Sequence, residues 1–330
     1  MSLPRRKFLH LAAGAATLPV IARPARAQSY PTRPVSIIVP FAPGGGADVS
    51  ARIVGEYMSR TLGQRFVIEN FRGAGGTTGS IRAMRATPDG YTIDIGHIGT
   101  HAISVWLYPQ LAYKPDVDFE PIGLIVENPI LITARKDFPA ANLKEFVAYV
   151  RGNAEKLNMG HAGVGSIMFS FGLLLNTVLG VKPTLVPFNG GGPATTALLG
   201  GQIDYTCSVI TDVSPHVRAG ALKGFALAAG ARNDALPDVP TTKEAGLSEF
   251  TSAPWIGLFA PKNTPRPILD TLSDTLDRAL DDREVRARFF DLGGVVPDKS
   301  RRGPRALAAL VKEEIARWGP IMKAADIKRS

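Results

Sequence analysis

Apolar and glycine-rich segments alternate in the stretch Val35–Gly63 in an order that predicts a strand, a loop and a helix. Val35–Val39 is a short β-branched run bounded by proline, which is typical of a buried strand. The glycine loop Pro43–Gly46 then interrupts regular structure. Apolar residues recur at helical spacing beyond it, which predicts a helix capped by Asp48 or Ser50.

The same alternation of apolar runs and glycine loops continues along the chain. Further strands or extended segments are predicted at 66–69, 91–95, 119–126, 130–134, 157–159, 184–187, 203–210, 225–229 and 255–260. Further helices are predicted at 80–86, 143–151, 166–179, 193–199, 267–281 and 304–325. Strands that alternate with helices in this way predict α/β units with parallel, doubly wound sheets. Because the pattern starts again after about residue 140, we predict two such units.

The last two predicted helices are amphipathic, and we expect them to pack back on the first unit. One domain would then consist of residues 28–125 and 256–330, and the other of residues 126–255. The chain would cross between the domains near Val126 and Trp255, so these crossings would form a two-segment hinge beside a central cleft.

Strand, glycine loop and helix N-terminus together can form an anion site. The N–H groups of the first turn have no partner within the helix, and glycine lets a ligand approach them. A tight turn alone would also account for Gly44–Gly46, so both interpretations stay open at this point. Ligands of doubly wound sheets bind beyond the carboxyl ends of the strands, which is where the glycine loops at 73–79, 96–101, 160–166 and 188–193 fall.

Residues 1–27 differ from the rest of the sequence. A basic start (Arg5-Arg6-Lys7) precedes the apolar run 9–21, and Ala25-Arg26-Ala27 fits a signal-peptidase site before Gln28. The basic start also fits the twin-arginine export route. A membrane anchor is the alternative, but the apolar run is too short to span a bilayer. We therefore predict an exported protein whose signal peptide is removed.

Removal of that segment changes the charge balance. It takes away five basic and no acidic residues, so the formal net charge falls from +9 to +4. No cluster of Lys and Arg interleaved with aromatic residues remains, so we predict no nucleic-acid partner. The single cysteine, Cys207, lies in an apolar run and excludes both an internal disulfide and a CxxC metal site.

Sequence motifs for catalysis are absent. Neither GxxxxGK[ST] nor GxSxG occurs, and two loops that begin like GxGxxG have Thr78 and Met168 at the third glycine position. His97 and His101 are four residues apart, but Gly99 lies between them in a loop, which argues against a metal site there. We predict no catalytic residue, no metal and no cofactor, although a Ser/His/Asp trio assembled in space stays open.

Several longer stretches carry a resemblance to a known family. They are PFAPGGGAD (40–48), ENFRGAGGTTG (69–79), PDGYTIDIGHIGTHAI (88–103), LYPQLAYKPDVDFEPIGLI (107–125), LLGGQID (198–204), LPDVPTTKEAGL (236–247), PWIGLFAPKNTP (254–265) and EEIARWGPIMKAADIK (313–328). In this order they resemble the Bug family, the periplasmic solute receptors of tripartite tricarboxylate transporters. The resemblance covers nearly the whole chain after residue 27.

The resemblance implies a type II periplasmic-binding-protein fold, in which two α/β domains close on a small organic acid. It further implies a location in the periplasm and delivery of the acid to an inner-membrane permease of two subunits. We expect a monomer that is not an enzyme. In the family, the loops matching 41–48 and 163–166 hold a carboxylate through backbone amides, hydroxyls and water.

On this basis we predict ligand-binding residues in the glycine loops of both domains. They are Phe41, Ala42, Gly44, Gly45, Gly46, Ala47, Asp48, His97, Thr100, His101, His161, Gly163, Val164, Gly165, Ser166, Phe188, Asn189, Gly190 and Ser208.

Three of these residues have a second possible role. We expect Asp48 to cap the helix after its loop, with a ligand contact as the alternative. Ser166 and Thr100 end glycine loops at predicted helix starts, so each is either a cap or a ligand contact.

The sequence departs from the family in the loops of the second domain. His161 stands where the family usually has serine, Phe188 and Asn189 replace tyrosine and lysine, and Ser208 replaces a common aspartate. The pocket is therefore more apolar, and we predict a monocarboxylate or aromatic acid at least as readily as a small dicarboxylate. The alternative is a second carboxylate paired with a loop histidine, His97, His101 or His161.

Two other functions remain open from the sequence. A receptor that signals through a membrane sensor would lack a neighbouring permease gene. An enzyme on the same fold, such as a small-acid lyase or deaminase, would show turnover of the bound acid.

Overall fold

The computed structural model describes residues 30–251 and 254–324, and the predicted signal peptide lies outside these residues. The strands are β1 (Val35–Val39), β2 (Phe66–Asn70), β3 (Thr92–His97), β4 (Phe119–Glu127), β5 (Ile130–Arg135), β6 (Asn158–His161), β7 (Thr184–Pro187), β8 (Tyr205–Val209), β9 (Leu222–Ala228) and β10 (Trp255–Pro261). The α-helices are α1 (Gly46–Leu62), α2 (Thr77–Met84), α3 (Ser104–Leu107), α4 (Leu143–Asn153), α5 (Ile167–Leu179), α6 (Gly191–Leu199), α7 (Ile210–Arg218), α8 (Arg266–Asp281), α9 (Arg283–Leu292) and α10 (Gly303–Ala324). A π-helical turn, Gly99–Ile103, precedes α3.

The strands form two sheets of the same design. The first has the order β2-β1-β3-β10-β4, and the second has the order β7-β6-β8-β5-β9. We call each sheet with its helices a lobe. In each sheet three neighbouring strands pair in parallel, β2-β1-β3 in the first and β7-β6-β8 in the second.

The prediction of purely parallel sheets is wrong for one strand of each sheet. β10 runs antiparallel to β3 and β4, and β5 runs antiparallel to β8 and β9. The cause is the crossing between the lobes. A strand that arrives from the other lobe enters its new sheet at the cleft side, where the carboxyl ends of the parallel strands lie, so it must run in the opposite direction.

The two crossing segments lie side by side. The backbone N–H of Asn128, between β4 and β5, donates to the carbonyl oxygen of Pro254 (2.8 Å), just before β10. The N–H of Ile210 donates to the carbonyl of Pro129 (2.9 Å). The crossings are therefore tied to each other and to the start of α7.

The cores explain why these sequences form these elements. In the second lobe Phe138, Phe146 and Phe225 pack as a buried aromatic group. The helix α10 packs on β4 and on the π-helical turn of the first lobe. Its Trp318 meets Phe171 of the second lobe edge to face, with 5.2 Å between ring centroids.

The structure confirms most predicted elements and corrects others. The bounds of β1 and β7 match the prediction, whereas α7 and α9 were not predicted. Cys207 is fully buried in β8, as its apolar surroundings indicated. No helix within the described ranges is long and apolar enough to cross a membrane.

Candidate functional site

The N-terminus of α1 begins directly after the glycine loop that follows β1. Gly45 is the N-cap and makes no side-chain capping bond, and Gly44 has a φ of +86°, which favours glycine. The predicted cap by Asp48 or Ser50 is therefore wrong, because the helix starts at Gly46, before either residue.

Asp48 instead sits in the first turn and supports the loop. Its carboxylate accepts hydrogen bonds from the Gly44 N–H (3.0 Å), the Arg52 guanidinium (2.9 and 3.0 Å) and the Asn70 amide (3.0 Å). Burial alone would raise the pKa of Asp48, but these bonds outweigh it and lower the pKa below its usual value. Asp48 is thus an ionised group whose oxygens are already bonded by the protein.

In the second lobe, the loop before α5 is shaped by two glycines with positive φ, Gly163 (+99°) and Gly165 (+86°). Ser166 is the N-cap of α5, and its Oγ accepts a hydrogen bond from the Phe169 N–H (3.2 Å). The predicted capping role of Ser166 is confirmed. The helix α6 begins after the glycine loop that follows β7, and α7 begins directly after β8 without a loop.

The loops of the two lobes touch each other. The Ala42 N–H donates to the carbonyl of Asn189 (3.0 Å), and the Tyr108 hydroxyl donates to the carbonyl of Val164 (2.6 Å). The Gly46 N–H at the start of α1 donates to the carboxylate of Asp212 in α7. These bonds show a closed arrangement of the two lobes.

A cavity lies between the lobes. Its lining consists of Phe41, Gly45, Gly46, Ala47, Asp48, His97, Ala162, Ser166, Ile167, Met168, Gly191, Val209, Asp212 and Ile256. The first turns of α1, α5, α6 and α7 all contribute to it, so helix N-termini from both lobes converge there. Among the described residues that line it, none is Lys or Arg.

His97 lines the cavity as a neutral ring. Its Nδ1 accepts from the N–H groups of Gly99 (2.9 Å) and Thr100 (3.3 Å), which assigns the ring proton to Nε2. Burial lowers the pKa of His97 to about 3, so the ring stays uncharged at neutral pH. The ring stacks on Phe41, with 5.0 Å between centroids.

The sequence profile of the tripartite tricarboxylate transporter family receptor matches residues 50–327. The chain belongs to this receptor family. Among solved structures, MatC (Rpa3494) from Rhodopseudomonas palustris with bound malate is 48% identical, with a TM-score of 0.86, covering 89% of this chain and 100% of MatC. The periplasmic binding protein BugD is 40% identical, with a TM-score of 0.87 and coverage of 90% and 99%. Rpa4515 of R. palustris with adipate is 30% identical, with a TM-score of 0.85 and coverage of 90% and 98%.

These similarities confirm the Bug-family resemblance and the type II periplasmic-binding-protein fold. The chain is a periplasmic solute-binding protein of the Bug family. Within its described residues, no group of three or more His, Cys, Asp or Glu side chains is placed to hold a metal ion.

Some of the receptor's predicted site residues line the cavity, and others contact the opposite lobe. Phe41, Gly45, Gly46, Ala47, Asp48, His97 and Ser166 line it. Ala42, Val164 and Asn189 bond across the cleft through backbone groups. Gly163 and Gly190 lie against the backbone of the opposite lobe, whereas Gly165 lies against the ring of Tyr108. Gly44 and Phe188 line a neighbouring groove. His161 is buried, with its Nδ1 accepting from the Gly163 N–H (3.1 Å).

Three predicted residues lie away from the cavity. His101 is fully buried between Phe259 and Phe119, with ring centroids 4.1 and 4.7 Å away. Thr100 lies inside the π-helical turn and bonds His101 Nδ1 (3.0 Å), so it is not a helix cap. Because the π-helical turn is wider than an α-helical one, the side chains of Thr100 and His101 are buried beneath the loop and do not point into the cleft.

Ser208 also lies away from the cavity. It is fully buried in β8, where its hydroxyl bonds that of Thr206 (2.8 Å). The neighbouring Val209 reaches the lining instead, because successive side chains of a strand point to opposite faces.

The sequence also left several lining residues of this receptor unassigned. They are Ala162, Ile167, Met168, Gly191, Val209, Asp212 and Ile256. The residues Ile167 and Met168 look like ordinary core positions in the sequence. Asp212 follows the strand predicted at 203–210, and only its position in the first turn of α7 brings it to the cavity.

Replacing Ser166 by alanine is expected to cost about 1 kcal/mol of unfolding free energy, because the Phe169 N–H loses its cap. It should also weaken ligand binding, since Ser166 lines the cavity. Asn142→Ala removes the equivalent cap of α4, where Asn142 accepts from the Glu145 N–H (3.0 Å) outside the cavity lining. Urea denaturation should show similar losses for both variants, and calorimetric titration should show weaker binding only for Ser166→Ala. Equal affinities would contradict a ligand contact by Ser166.

Proposed function

We propose that the chain captures a small organic acid in the periplasm by closure of its two lobes, and delivers it to a two-subunit inner-membrane permease. The convergence of four helix N-termini on one cavity carries this proposal. The N–H groups of the first helical turns and the helix dipoles favour a negative group there. The lining residues supply no Lys or Arg, so an acid would be held mainly by backbone groups.

The lobe contacts support closure as the means of capture. Ligand contacts to both lobes favour the closed state by the difference in affinity between the closed and open states. We place the hinge at the two crossing segments around Asn128 and Pro254. We propose that one domain consists of residues 28–125 and 256–330, and the other of residues 126–255. We also propose that residues 1–27 direct export.

The chemistry of the lining supports binding rather than catalysis. His97 is neutral and Asp48 is fully engaged by Arg52 and its loop. Apart from Ser166 and the carboxyl group of Asp212, the remaining lining is largely apolar, from Phe41, Met168 and other side chains. We infer a monomeric receptor that binds the acid without a cofactor or turnover.

The relatives narrow the range of acids to test. The solved structure of MatC contains bound malate, and that of Rpa4515 is with adipate. The apolar lining here still favours an acid with one carboxylate and an apolar or aromatic remainder. If malate or citrate were the tightest ligand, the preference for a monocarboxylate would be wrong, while the receptor function would stand.

The first test is a thermal-shift screen with succinate, malate, citrate, adipate, benzoate and short monocarboxylates. A ligand at 100 times its dissociation constant adds about 2.7 kcal/mol to the stability of the folded state, which raises the melting temperature measurably. The matched control is the neutral amide of each acid, which has nearly the same shape and no charge. The anion site predicts a shift with an acid and a much smaller one with its amide. No shift with any acid would contradict the proposal.

A further inference from the structure

The carboxyl group of Asp212 lies at the N-terminus of α1, beside the space that a ligand carboxylate would take there. One of its carboxylate oxygens, Oδ1, accepts the Gly46 N–H, across the cleft from its own helix. The side chain lines the cavity and the residue is only 9% exposed. A Cβ atom at Gly191 would lie 2.1 Å from the second oxygen, Oδ2, so glycine at this position leaves room for the carboxyl group.

No positive charge of the lining balances this carboxyl group. The other titratable groups of the described lining are Asp48, whose charge is paired with Arg52, and the neutral His97. His216 follows one turn later on α7 and shares an open groove with Asp212. A ligand carboxylate at the start of α1 would therefore face a second, uncompensated carboxyl group.

Resting on the proposed function, we infer that Asp212 is a specificity-determining residue that carries a proton when an acid is bound and donates it in a hydrogen bond to the ligand carboxylate. Oδ1 keeps the Gly46 N–H, and the proton resides on Oδ2. Two buried carboxyl groups at hydrogen-bond distance cannot both be ionised without a large cost, so they share one proton. The proton comes from hydronium or a buffer acid, whose bond to it breaks as the Oδ2–H bond forms. Between Asp212 and the ligand only a hydrogen bond forms.

The closed arrangement without ligand agrees with this inference. Burial raises the pKa of Asp212 to about 7, although the hydrogen bond from Gly46 acts in the opposite direction. A ligand anion beside it raises that pKa further. Above pH 7 the free protein has mostly lost this proton, whereas the complex holds it. Binding then takes up about one proton from solvent at pH 8.

The experiment is isothermal titration calorimetry at pH 8 with the acid of the panel that gives the largest thermal shift. Titrations in phosphate and in Tris, which differ in ionisation enthalpy, give the number of protons taken up. We expect about one proton for the natural protein. Between pH 7.5 and 8.5 the dissociation constant should rise about tenfold, because the protonated form becomes tenfold rarer.

Asp212→Asn is the matched variant. Its amide oxygen can still accept the Gly46 N–H, and its amide nitrogen is a donor at every pH. We expect no proton uptake, a dissociation constant that is independent of pH, and tighter binding than the natural protein at pH 8.5. His216→Gln serves as the control for the neighbouring histidine and should leave the uptake at about one proton.

The outcomes separate this inference from the proposed function. Acid binding without proton uptake by the natural protein overturns the role of Asp212 and leaves the receptor function standing. Uptake that persists in Asp212→Asn, or that disappears in His216→Gln, also overturns it. If no acid binds either the natural protein or Asp212→Asn, the receptor function fails and this inference fails with it.

Discussion

Replacement of Gly75 by alanine is expected to abolish acid binding while the chain stays folded. Gly75 lies in the loop before α2 with a φ of +60°, and a Cβ atom there would lie 1.6 Å from the carbonyl oxygen of Val164 in the other lobe. That contact exists only when the lobes are closed. The added methyl group therefore makes the closed state inaccessible and leaves the open state free of the clash.

The size of the effect follows from the population of the competent state. The apparent affinity falls in proportion to the fraction of molecules that can close, so we expect a loss of more than about hundredfold. Calorimetric titration measures the affinity, and small-angle scattering should show a protein that does not become more compact when acid is added.

Gly63→Ala is the matched control for this prediction. Gly63 also has a positive φ (+70°), but it has no neighbouring atom within 4 Å. Each alanine should cost about 1 kcal/mol in unfolding free energy through the left-handed conformation alone. Only Gly75→Ala should lose its affinity for the acid. Binding of equal strength in the two variants would show that the loops do not meet during capture.

Asp94→Asn is expected to make the protein more stable at neutral pH. Asp94 is fully buried in β3, neither carboxylate oxygen has a hydrogen-bond partner, and His101 Nε2 is 3.9 Å away. Burial raises the pKa of Asp94 well above its usual value and outweighs the influence of the Ser80 hydroxyl. Burial also lowers the pKa of His101 well below its usual value, so we infer that the pair is neutral.

The sign of the pH dependence follows from the raised pKa. Above about pH 4 the unfolded chain releases the proton of Asp94 and the folded chain keeps it, so stability falls as the pH rises. The loss is about 1.4 kcal/mol per pH unit until the folded-state pKa is reached. Asparagine cannot ionise. The unfolding free energy of the variant should therefore rise relative to that of the natural protein by this amount with each pH unit.

Urea denaturation at pH 5, 6 and 7 measures this difference. Asp116→Asn is the control, because Asp116 is exposed and should follow the natural protein at every pH. Parallel curves for Asp94→Asn and the natural protein would mean that Asp94 is ionised in the folded state, as an ion pair with His101.

The elements that bury one regular face could be predicted from the sequence. β1 and β7 are bounded by proline or glycine, and the amphipathic α8 was found to within one residue. The helix α9 was missed because one residue, Asp282, separates it from α8 and also caps it, leaving no loop between them. In α7, Pro215 and polar residues hid the helical period.

The site could be predicted only where its chemistry is local. The glycine loop before α1 and the cap at Ser166 are visible in the sequence because loop and helix start are adjacent. The role of Asp212 depends on a contact with Gly46 in the other lobe, which no spacing in the sequence encodes. The prediction that His101 contacts the ligand is wrong because the turn after β3 is π-helical. This wider turn changes the direction in which the side chain of His101 points.

The position of β10 also has a consequence for the order in which the protein is made. β10 is an inner strand of the first sheet, and β3 and β4 are joined only through it. While the ribosome is adding residues 130–228, all strands of the second sheet are synthesised. The first sheet still lacks β10, so the edges of β3 and β4 that pair with it are open. Open strand edges invite pairing with other chains. The first lobe therefore remains vulnerable to aggregation until synthesis has passed Pro261, and the nascent chain has most need of a chaperone in that interval.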